Sequence, residues 1–155
     1  CKKNGNQLNP NFTLTDILES LPEYTTTGVS EPRAVLKVKE KDNAKLKASF
    51  QKVFEKQWQQ KKAELAKSYG IVSYKVAITN GTKEQIEIKD FSLSKTGGLK
   101  IIFYNNQELP IAFIWMRGSG TEPVFRIMCD VKGNNPKTEN ELLAWETKMI
   151  EEADK

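Results

Sequence analysis

The sequence predicts an α+β domain, an antiparallel sheet with helices packed on one face. A long stretch of helical period near the middle, several short alternating segments separated by turn residues, and a second helical stretch at the end point to it. With 155 residues, 38% hydrophobic and 28% charged, the chain suits one globular domain of ordinary size.

Residues 1–11 are polar and broken by Asn-Gly and Asn-Pro, which reads as a loop or a frayed start. Thr13 and Thr15 can each cap a short apolar pattern of Leu14, Ile17, Leu18 and Leu21, which Pro22 closes. A helix this short cannot bury its face alone, and it suggests a domain preceding it. Residues 25–32 read as a polar linker, and residues 33–38 as a short strand containing Val35 and Leu36.

The clearest helix covers residues 42–69. Asp42 or Asn43 can cap it, and Leu46, Phe50, Val53, Phe54, Leu65 and Tyr69 recur at steps of three and four, with Trp58 close to the stripe. Gly70 is placed to end it in a left-handed conformation. Its remaining Lys, Gln and Glu positions read as a solvated face.

Strands follow. Val72, Tyr74, Val76 and Ile78 alternate with polar residues over 71–79, and Asn80-Gly81 suits a tight hairpin into residues 85–88. Residues 99–104, 109–116 and 124–131 read as further strands, the first after the turn Thr96-Gly97-Gly98. Residues 133–136 break the pattern, and Thr138 is expected to cap a last helix carrying Leu142, Leu143, Trp145, Met149 and Ile150.

Composition excludes several chemistries. The chain has no histidine, so it holds no Ser-His or Cys-His nucleophilic pair and no His-ligated zinc. Its two cysteines, Cys1 and Cys129, make no disulfide framework, which favours a reducing, cytoplasmic setting. Cys1 also matches the first residue of a mature bacterial lipoprotein, a lesser reading. No apolar run approaches the roughly 18 residues that span a bilayer, and no membrane partner is expected. The net charge of +4 is spread along the chain. A basic stripe with interleaved aromatics would favour nucleic acid, and there is none, so a nucleic-acid-binding module stands only as an alternative.

One segment carries chemistry: Arg117-Gly118-Ser119-Gly120-Thr121-Glu122-Pro123, between two apolar strands. Its glycines allow close approach of the backbone to a ligand and an inward-facing nest of N–H groups. Ser119 and Thr121 offer hydroxyls, and Arg117 a planar fork suited to phosphate, with Arg126 near on the next strand. Gly-Ser-Gly is as often a plain hairpin. Ser119 lacks a base to make it a nucleophile.

Arg117-Gly118-Ser119-Gly120-Thr121-Glu122-Pro123 with Phe125-Arg126-Ile127 resembles the phosphate-binding signature of the α-D-phosphohexomutases, the family of phosphoglucomutases, phosphomannomutases and phosphoglucosamine mutases. Leu21-Pro22-Glu23-Tyr24 is similar to the family's junction between third and last domains, and the closing Leu142-Leu143 helix fits as well. The resemblance covers about three quarters of the chain. It implies a C-terminal piece: residues 1–24 as the end of the third domain and linker helix, 25–155 as the phosphate-binding domain, with a fold resembling that of the TATA-binding protein.

By this likeness Arg117, Gly118, Ser119, Gly120, Thr121 and Arg126 bind the phosphate of a hexose phosphate or hexose bisphosphate that is not being transferred. Gly118 departs from the proline usual there, which implies a more flexible loop. The catalytic serine, the Mg2+ ligands and the sugar-reading loop belong to other domains of the family, and their Ser-His-Asn-Pro, Asp-Gly-Asp-x-Asp-Arg and Gly-Glu-x-Ser-Gly-His signatures are absent from this sequence. No catalytic residue is therefore expected within this chain, and no mutase activity from it alone. Phosphoglucosamine mutase is the alternative inside the family. The register of residues 84–106 is left open.

Overall fold

The computed structural model describes residues 13–119 and 124–155. It is an α+β fold with a seven-stranded antiparallel sheet. The elements in order are α1 (Leu14–Ser20), β1 (Tyr24–Thr26), a 3-10 turn (Pro32–Ala34), β2 (Val35–Lys37), α2 (Asn43–Tyr69), β3 (Ser73–Asn80), β4 (Lys83–Ile86), a second 3-10 turn (Phe91–Ser94), β5 (Gly98–Tyr104), β6 (Pro110–Gly118), β7 (Val124–Lys132) and α3 (Pro136–Ala153). The strand order is β1-β7-β6-β5-β3-β4, and β2 also pairs with β7 beyond β1.

Helix α2 forms where its period placed it. Asp42 caps it, accepting from the N–H groups of Ala44 and Lys45 at 2.9 and 3.2 Å. Gly70 ends it at φ 71°, returning its N–H to Ala66, while Ile71 returns to Leu65. Phe50, Phe54 and Trp58 on one stripe are buried against the sheet. The Phe54 ring meets Tyr74 of β3 edge-on at 4.9 Å between centroids. Trp145 of α3 packs 6.0 Å from Phe54 and donates its indole N–H to Gln57 at 2.6 Å. Both long helices therefore cover the same face, onto which Leu99, Ile101, Phe103, Ile114, Met116, Phe125, Ile127 and Cys129 point. The other face carries Ile102, Phe113, Trp115 and Met128 beside Lys100, whose ammonium lies 4.5 Å from the centre of the Phe113 ring.

Several expectations need correction. The linker at 25–32 contains the end of β1: Tyr24, Thr25 and Thr26 pair with Lys132, Val131 and Asp130, because the outer edge of β7 supplies a ladder that the short segment has no pattern to announce. Thr13, not Thr15, caps α1. Arg33 lies in the 3-10 turn, and the strand after it is limited to Val35–Lys37. The strand after the Asn80-Gly81 turn starts and ends earlier than expected, at Lys83–Ile86, because pairing begins with Asn80 opposite Lys83. Asn135 caps α3, with Pro136 in the first turn and Thr138 hydrogen-bonded to the Asn135 side chain. Pro136 begins the helix and does not break the chain, since the first turn needs no N–H from it. Helix α1 buries no residue: Leu14, Ile17, Leu18 and Leu21 are all exposed.

Candidate anion-binding site

The site grows from the end of the β6–β7 hairpin. Strand β6 runs two residues further than the apolar pattern indicated, through Arg117 and Gly118. The Ser119 N–H then donates to the Val124 carbonyl at 2.9 Å and closes the base of the loop. Gly120 and Thr121, expected to contribute to the site, lie outside the described residues, as do Glu122 and Pro123.

Strand alternation assigns the faces. Arg117 stands opposite Arg126, and Gly118 opposite Phe125. Both arginines are exposed on the helix-free face, next to the pair Trp115 and Met128, while Gly118 and Phe125 are buried toward the helices. Among the described residues no carboxylate forms an ion pair with either guanidinium. Like charges placed directly across a ladder repel. An oxyanion between them would turn that repulsion into two charge-assisted contacts.

Gly118 itself belongs to strand β6. It is an extended strand residue, and a Cβ there would overlap the side-chain amide of Asn43, the first residue of α2. Glycine is needed here for space, so that the helix start can press on the loop base. A pocket of about 370 Å3 opens at this contact, lined by Lys41, Asp42, Asn43, Lys95, Thr96 and Ser119. A larger one, about 560 Å3, lies at the opposite end of the sheet around Tyr69, Asn105, Lys132 and Asn135, away from both arginines.

Sequence reasoning missed Lys47, which it counted among the solvated positions of α2. Lys47 is fully buried and donates to the carbonyls of Lys95 and Gly97 at 2.7 and 2.6 Å. Burial first, and the nearby Arg117 charge second, lower its pKa to about 8. The signal was its spacing: Lys47 precedes Phe50, Phe54 and Trp58 by three, seven and eleven residues, on the core face of the helix.

Arg117 and Arg126 present two guanidinium groups side by side on one face of the hairpin end, beside the turn that Ser119 closes. Among the described residues no group of three or more His, Cys, Asp and Glu is placed to hold a metal ion. Among the same residues, no helix is long and apolar enough to cross a membrane. No protein-family model and no curated protein matches this chain.

Proposed function

We propose that this chain is the C-terminal, phosphate-binding domain of an α-D-phosphohexomutase, a cytoplasmic enzyme of the phosphoglucomutase/phosphomannomutase type. The observation that carries the reading is the pair Arg117 and Arg126, opposite one another at the mouth of the Gly118-Ser119 loop with no acidic partner among the described residues. The signature in the sequence and the α+β fold support it.

In such an enzyme this domain holds the phosphate that is not being transferred, while other domains of the longer chain supply the phosphoserine, Mg2+ and the contacts to the sugar. A hexose bisphosphate must present each of its phosphates here in turn. Arginine forks suit that task, because phosphate looks alike from either end and the sugar does not.

The test is a titration of the chain with inorganic phosphate, followed by amide and arginine side-chain resonances. Shifts at residues 117–121 and at Arg126, saturating in the millimolar range, are expected, since one phosphate gains only a few contacts of roughly 1.5–3 kcal/mol each before binding entropy is subtracted. Shifts elsewhere with residues 117–121 unmoved would overturn the reading. In the longer enzyme, Arg117→Ala should cost about 30- to 1000-fold in catalytic efficiency for both the 1-phosphate and the 6-phosphate, with Arg117→Lys recovering part.

A further inference from the structure

Lys47 is a buried ammonium with no carboxylate bonded to it among the described residues. Its two described partners are carbonyls, those of Lys95 and Gly97, in the turn that leads into β5. Lys95 is held there at φ 41°, a conformation uncommon for a residue with a side chain. Among the described residues, the one charge that acts on the ammonium is a like one. From β6 comes the positive charge of Arg117; from α2, one turn earlier, the neutral Asn43 that touches Gly118; and from the 3-10 turn the buried Ser94, whose hydroxyl donates to Phe91. A buried cation with a like charge on the other side of the sheet weakens a fold, and a buried apolar side chain of similar volume would serve stability better.

We propose that Lys47 is a positioning residue of the anion site: it anchors the Lys95–Gly97 turn and sets a second positive charge behind Arg117, which a bound oxyanion offsets without touching it. This rests on the reading that the Arg117–Arg126 pair binds an oxyanion. The consequence is reciprocal. An anion at the arginines favours the charged form of Lys47, and the charged form favours the anion by the same factor. Because the Lys47 pKa lies near 8, affinity for an anion of constant charge should fall as pH rises through that region.

Sulfate is the probe, since its charge does not change between pH 6 and pH 10. In the wild-type chain, the Lys47 Cε resonance should titrate near pH 8, and saturating sulfate should move that midpoint up by about 0.5 pH unit, matched by a roughly threefold loss of sulfate affinity between pH 7 and pH 9.5. Lys47→Met should bind sulfate about threefold more weakly at pH 7 and show no further loss up to pH 9.5. If that variant fails to fold, the wild-type titration decides alone. A Lys47 midpoint unmoved by sulfate, while Arg117 and Arg126 resonances report binding, would overturn the role given to Lys47. No sulfate shift at either arginine would instead overturn the site itself, and this inference with it.

Discussion

The side-chain amide of Asn43 occupies the space that any side chain at position 118 would need. The start of a 27-residue helix and the end of a β-strand are thereby locked at one point, directly under the loop that begins with Ser119. Gly118→Ala should force Asn43 from its rotamer and destabilise the domain by about 1 kcal/mol in urea unfolding. In an Asn43→Ala background the same substitution should cost little. Equal costs in both backgrounds would show that the contact does not set the requirement for glycine.

The facing arginines predict an inverse relation between stability and binding. Arg126→Gln removes a cross-strand repulsion and should stabilise the anion-free domain at low salt by about 0.2–1 kcal/mol, an effect that fades as salt screens it. The same variant should lose most of the rise in melting temperature that phosphate gives the wild type. A variant that is destabilised at low salt and still stabilised by phosphate would contradict both halves.

Glu146 of α3 is fully buried, and neither carboxylate oxygen has a hydrogen-bond partner. Burial raises its pKa well above the ordinary carboxyl value, so the folded protein retains a proton there that the unfolded chain releases. Stability must therefore fall as pH rises above the unfolded value near 4.5, by at most about 1.4 kcal/mol per pH unit, until the folded group itself ionises. Glu146→Met should abolish that component and gain more stability at pH 8 than at pH 5, as read by denaturant midpoints. A gain independent of pH would mean that Glu146 does not titrate as its burial requires.

Helix α1 is held by its own capping box, in which Thr13 and Asp16 bond reciprocally, and by no buried side chain. Its amides should exchange with solvent orders of magnitude faster than those of β5 and β6, which lie inside the sheet. Comparable protection in α1 and β6 would show that the helix is docked.

What could be read from the sequence, and what could not, follows from where each element gets its stability. Helix α2 announces itself because its stripe, its Asp42 cap and its Gly70 stop are local. Strands β6 and β7 do so because each alternates between buried and more exposed positions. Strand β1 does not: Tyr24-Thr25-Thr26 becomes a strand only because β7 offers it an edge. The arginines were found because a guanidinium beside a Gly-Ser-Gly turn is conspicuous. Asn43 and Lys47 were not, since each matters through a contact distant in sequence, with Gly118 in one case and with Lys95 and Gly97 in the other. A lysine on a Lys-rich helix carries no mark of being the buried one.

The pairing of β1 with β7 also governs the order of assembly. The Thr25 hydroxyl bonds the Gly133 carbonyl across 108 positions, and β7 is the strand that brings Arg126 to Arg117. Contacts so far apart close slowly, because the chain must lose the freedom of a long loop before they form. On a ribosome, β2–β5 and α2 are all synthesised before β7 exists. The edge formed by β1 must wait for β7, to which Thr25 is joined across 108 positions. The arginine pair is complete only once β7 is made, and a chain cut short before residue 124 would retain α2 and Arg117 yet lack the opposing half of the site.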